Sequence, residues 1–74
     1  MVATIILMHV NTGKAQEVSE TVGKIDHVQW AHMVTGPYDV IAYADLPSKS
    51  DLRELVNDIH EVADIKSTET CIVI

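Results

Sequence analysis

The first ten residues, MVATIILMHV, place apolar side chains on both parities: Ala3, Ile5 and Leu7 on one, Val2, Ile6 and Met8 on the other. Successive residues of a strand point to opposite faces, so this segment is predicted to be a strand, residues 2–10, with aliphatic groups on both sides. The spacing then changes. Ala15, Val18 and Val22 recur at helical intervals and predict a helix over residues 13–24, with Asn11 or Thr12 as its N-cap and Glu20 and Lys24 as an i,i+4 pair on its outer side. Leu52, Leu55, Val56 and Ile59 predict a second helix over residues 48–62. Ser48 suits its N-cap, Pro47 precedes it, and Asp51 lies in the first turn, where the helix dipole favours negative charge. Residues 28–35 and 38–45 flank Gly36 and Pro37 and predict a hairpin. Residues 65–74 predict a last strand.

The two helices belong to a repeat. Adding 37 to Ala15, Val18, Val22, Ile25 and Val28 gives Leu52, Leu55, Ile59, Val62 and Ile65, apolar at every position. Each set runs along a helix and steps into the following strand. Two βαβ units follow from this, joined by the hairpin. Crossovers between parallel strands are right-handed in nearly all proteins, so the expected architecture is α+β: a ferredoxin-like βαββαβ domain. Its four-stranded antiparallel sheet takes the order 4-1-3-2, with two helices on one face. Residues 1–74 form one such domain. The helices cover one face only, and the other is aliphatic rather than polar. A monomer rarely leaves a patch of that kind in water. A second sheet packed against it, giving a homodimer, is the expected solution.

Charge narrows the partners. Five Lys and Arg stand against eleven Asp and Glu, a formal net charge of −6. The basic residues Lys14, Lys24, Lys49, Arg53 and Lys66 form no cluster in sequence. Nucleic-acid binding needs a basic footprint that displaces counterions, so no direct nucleic-acid contact is expected. Trp30, Tyr38 and Tyr43 are the only aromatic residues of their kinds, too few for a base-stacking platform. Cys71 is the single cysteine, which rules out a disulfide within one chain and suits a reducing compartment. The N-terminus lacks the basic start and small-residue cleavage site of a signal peptide. No apolar run approaches the ~18 residues of a membrane span. A cytoplasmic protein with no membrane association is expected.

Two stretches carry a family resemblance. The hairpin reads Val34-Thr35-Gly36-Pro37-Tyr38-Asp39-Val40, and the last strand Ile65-Lys66-Ser67-Thr68-Glu69-Thr70-Cys71-Ile72-Val73. With the helix carrying Leu52, Leu55, Val56 and Ile59 between them, they resemble the effector-binding domain of Lrp/AsnC transcriptional regulators, often called the RAM domain. The resemblance covers nearly the whole chain. It implies the same fold and a sheet-to-sheet dimer, assembly of dimers into rings that are often octamers, and an amino-acid effector held in a cleft between dimers. Full-length regulators of the family also carry a helix-turn-helix domain. This sequence shows none and resembles a stand-alone form, which implies a regulatory protein, not an enzyme. Such a protein modulates amino-acid metabolism by binding a small molecule or by co-assembling with full-length regulators.

The chemistry of a zwitterion singles out candidate ligand-binding residues. A carboxylate seeks free backbone N–H groups, which a glycine turn supplies, and Gly36 fits. An ammonium seeks a carboxylate, and Asp39 is the candidate. Tyr38 lies between them. Thr68 and Thr70 add hydroxyls on one face of the last strand. Each also has a plain structural reading: Gly36-Pro37 as a turn, Asp39 as a turn cap or a partner for lysine, Tyr38 as a packing residue, and the threonines as good strand formers. Trp30 suits a buried interface. His9, His27, His32, His60 and Cys71 show no metal-ligand spacing, so neither metal nor cofactor is expected. Two alternatives stay open. One is a ligand-free structural adaptor. The other is a small ferredoxin-like monooxygenase built around Trp30, His9, Asn11 and His32, although no nucleophile–base pair is evident.

Overall fold

The computed structural model describes all 74 residues. The elements run β1 (Val2–Val10), α1 (Ala15–Val22), β2 (Val28–Met33), β3 (Val40–Leu46), a 3-10 turn (Lys49–Asp51), α2 (Leu52–His60) and β4 (Ile65–Ile72). The sheet order is β2-β3-β1-β4, the predicted order seen from the other edge, and every neighbouring pair is antiparallel.

Alternation along the two central strands builds the core. Thr4, Ile6, Met8 and Val10 of β1 and Val40, Ala42, Ala44 and Leu46 of β3 are buried beneath the helices. The helices meet them with Val18 and Val22 from α1 and Leu55 and Ile59 from α2. The small side chains of Ala42 and Ala44 leave room for that layer. Burial follows the repeat: Val18 and Leu55, and Val22 and Ile59, are in the core, while Ala15 and Leu52, Ile25 and Val62, and Val28 and Ile65 pack at its margin. The repeat also extends to backbone conformation. The only non-glycine residues with positive φ are His27 and Asp64, both at 73° and 37 positions apart. Each lies between a helix and the next strand, and His and Asp tolerate this region better than most residues. Each turns its carbonyl to a neighbouring strand end: Asp45 N–H donates to His27 O at 3.0 Å and Asn11 N–H to Asp64 O at 2.9 Å.

Some local expectations give way. Gly13 takes φ 81°, so residues 11–14 form a turn and α1 starts at Ala15, with Lys14 at its N-cap and no side-chain cap bond. Neither Asn11 nor Thr12 caps it; the Asn11 amide donates to Asp64 Oδ1 at 3.2 Å instead. Lys24 lies past the end of α1, so it does not pair with Glu20, and the one ion pair is Lys14–Glu17 at 3.9 Å. Ser48 does lead into α2 through the 3-10 turn, its N–H donating to Asp51 Oδ2 at 3.1 Å. The hairpin strands and β4 are shorter than predicted, ending at Met33, starting at Val40 and ending at Ile72 respectively.

The face without helices carries Ala3, Ile5, Leu7 and His9 of β1 beside Ile41 and Tyr43 of β3. Two cross-strand rows follow from the register: Trp30–Tyr43–Ile5–Cys71 and His32–Ile41–Leu7–Glu69. Trp30 stacks between His32 and Tyr43, with centroids 5.0 and 5.8 Å away, and is 40% exposed.

Candidate functional site

The loop between β2 and β3, residues 34–39, meets the C-terminal end of β1. Gly36 has φ 119°, a conformation that L residues rarely adopt, and a Cβ there would touch nothing within 4 Å. The glycine is thus required by the backbone and not by crowding. Asp39 fixes the loop to β1. Its N–H donates to Met8 O and its carbonyl accepts from Val34 N–H, both at 2.9 Å. Its Oδ2 accepts from Val10 N–H at 2.9 Å, and Oδ1 has no partner within the chain. The N–H groups of Thr35, Gly36 and Tyr38 donate to nothing in the chain, and Pro37 has none. The same short loop therefore holds free backbone donors and a carboxylate with one free oxygen, the two kinds of group that a zwitterion seeks.

Tyr38 lies across the open face. Its ring rests 4.9 Å from the His9 imidazole, tilted by 37°, and its hydroxyl donates to Glu69 Oε1 on β4. That hydrogen bond is the main reason why the phenol ionises above its ordinary range, aided by desolvation and by the nearby charges of Glu69 and Cys71.

The structure gathers Gly36, Tyr38 and Asp39 at one end of the sheet. Thr68 belongs to the same end, since Met8 pairs with both Val40 and Thr68. Yet Thr68 and Thr70, opposite Met8 and Ile6, share the helix side of β4, and Tyr38 lies on the other side. Neither hydroxyl bonds to the turn. Thr68 lines a 210 Å³ pocket with His60, Ile65, Lys66 and Ser67. Sequence reasoning passed over Glu69 and did not join His9 to the turn. Glu69 is the middle residue of Thr-Glu-Thr, and alternation alone sets it opposite the threonines. No group of three or more His, Cys, Asp or Glu side chains is arranged to hold a metal ion.

A family profile, the Lrp/AsnC ligand binding domain, matches residues 3–74. The chain belongs to this family. Hypothetical protein PHS023 from Pyrococcus horikoshii is 33% identical with a TM-score of 0.92, over 100% of this chain and 90% of that one. AsnC of E. coli is 27% identical with a TM-score of 0.87, over 99% of this chain and 50% of that one, so this Lrp/AsnC domain corresponds to half of that protein. A transcriptional regulator of Neisseria meningitidis, NMB0573, solved as an L-Met complex, shares the fold at 17% identity and a TM-score of 0.83, over 99% of this chain and 49% of that one. No curated protein matches the sequence significantly. The Lrp/AsnC assignment makes this a regulatory ligand-binding domain with the ferredoxin-like fold.

Proposed function

We propose that the domain binds an amino acid at the turn of residues 34–39 and works as an oligomer in the cytoplasm, modulating transcription of amino-acid metabolism through full-length Lrp/AsnC regulators. One observation carries this: the loop of residues 34–39 holds unbonded N–H groups at Thr35, Gly36 and Tyr38 and, at Asp39, a carboxylate with Oδ1 free. The donors suit a ligand carboxylate and Asp39 its ammonium. The meningococcal relative, a complex with L-Met, supports the ligand class. Thr68 and Thr70, on the other side of β4, contribute from a neighbouring subunit.

The uncovered face of Ile5, Leu7, Ile41, Tyr43 and Trp30 supports a sheet-to-sheet homodimer. Dimers then assemble into rings, octameric as the family suggests, with the ligand between them. No helix of the chain is long and apolar enough to cross a membrane, and the net charge of −6 opposes direct contact with DNA.

Native mass spectrometry with and without a panel of amino acids tests both parts. The expected result is a dimer or larger species that retains one amino acid per site. Ligand-free assemblies at millimolar amino acid, for all twenty, would instead favour the structural adaptor, in which Asp39 serves only to hold Val10.

A further inference from the structure

Tyr38 and Glu69 are 31 residues apart and belong to segments that are not neighbours in the sheet, because β1 separates β3 from β4. To reach Glu69 the Tyr38 side chain crosses β1 and lies on His9. The next residue, Asp39, is bonded to the backbone of that same strand at Met8 and Val10. Tyr38 therefore forms a strap over the end of β1, with the free N–H groups of the turn immediately before it. Glu69 makes no ion pair, and the phenol is its one side-chain hydrogen-bond partner.

We infer that Glu69 is the positioning residue of the ligand turn: its carboxylate draws Tyr38 across β1, and this strap holds the turn in the conformation that presents its free donors and Asp39. The inference rests on reading the turn as the effector end. Glu69 acts through Tyr38 and touches no ligand itself. An incidental surface pair would leave the turn indifferent to its loss.

The test uses Tyr43→Phe as background, which leaves Tyr38 as the one tyrosine. Ultraviolet titration should show the phenol ionising above its ordinary range, and both Glu69→Gln and Glu69→Ala should bring it down. In Glu69→Ala the amides of Val34 and Asp39, bonded to Asp39 O and Met8 O, should exchange with solvent faster. In Glu69→Gln, which keeps an acceptor for the hydroxyl, they should exchange as in the parent. Against the amino acid found by calorimetry, Glu69→Ala should weaken binding about two- to ten-fold, as for one lost hydrogen bond. The Tyr38→Phe, Glu69→Ala double variant should bind no worse than Tyr38→Phe alone. An unchanged phenol midpoint, unchanged exchange at Val34 and Asp39, or losses that multiply in the double variant would each overturn the strap. If the parent binds no amino acid, the effector reading fails, and titration and exchange still decide whether Glu69 holds the turn.

Discussion

The carboxylate of Asp39 accepts the N–H of Val10 at 2.9 Å across a separation of 29 residues. One side chain thus joins the loop to the end of the central strand while leaving an oxygen free. Asp39→Ala removes both functions. Charged hydrogen bonds contribute about 1.5–3 kcal/mol, so urea denaturation should show a loss of that order, together with weaker ligand binding. Asp39→Asn keeps an acceptor for Val10 and removes the charge. It should retain most of the stability while still losing about ten-fold or more in affinity by calorimetry. If the two variants lose affinity only in proportion to stability, the carboxylate has no separate role in binding.

Ile5 occupies the middle of the row from Trp30 to Cys71 on the uncovered face. Ile5→Lys leaves the helix-side core intact and places a charge in the proposed interface. Light scattering coupled to gel filtration should report at least a dimer for the parent. The variant should shift toward the 8.2 kDa monomer with unchanged far-ultraviolet circular dichroism. A monomeric parent at micromolar concentration would remove the face-to-face dimer.

His27 and Asp64 occupy matching left-handed positions. A left-handed conformation costs a branched side chain about 1–2 kcal/mol. His27→Val and Asp64→Val should each lower stability by about that amount in urea denaturation, and His27→Gly should not. Asp64→Gly also gives up the Asn11 contact, so its stability should fall between those of the parent and the valine variant.

The raised ionisation of Tyr38 links stability to pH. The folded state holds the phenol proton more tightly than the unfolded state, so the contribution is fully present below the ordinary tyrosine range. It is lost as pH rises through the folded value. Urea midpoints followed through the alkaline range should fall less steeply for Tyr38→Phe than for the parent.

Much of the fold was legible in the sequence because the periodicities were unambiguous. Val18, Val22, Leu55 and Ile59 fell on helical spacing and became the helix side of the core. The aliphatic residues on both parities of β1 pointed to a face that no helix covers. What escaped depended on partners distant in sequence. Asn11 is a good N-cap by type, but Gly13 bends the chain away from α1 and Asp64, 53 residues on, takes the amide. For the site, Gly36, Tyr38 and Asp39 were legible as a turn motif. The contact of Tyr38 with Glu69 was not, because it depends on β1 lying between them. The separation of the threonines from Tyr38 by the thickness of the sheet also required the register.

Val73 N–H donates to Ala3 O at 2.9 Å, so the first and last residues of the chain leave the sheet side by side. They do so at the far end of β1 from Asp39 and the turn. Any domain joined to either end would hang from that one corner, roughly 30 Å from the turn along nine residues of strand. A signal passing from the turn to such a domain has β1 as its direct line. That strand is paired along both edges and covered by helices on one side only. Because both of its edges are bonded to neighbouring strands, a shift at the turn would reach that corner only with the sheet moving as one body.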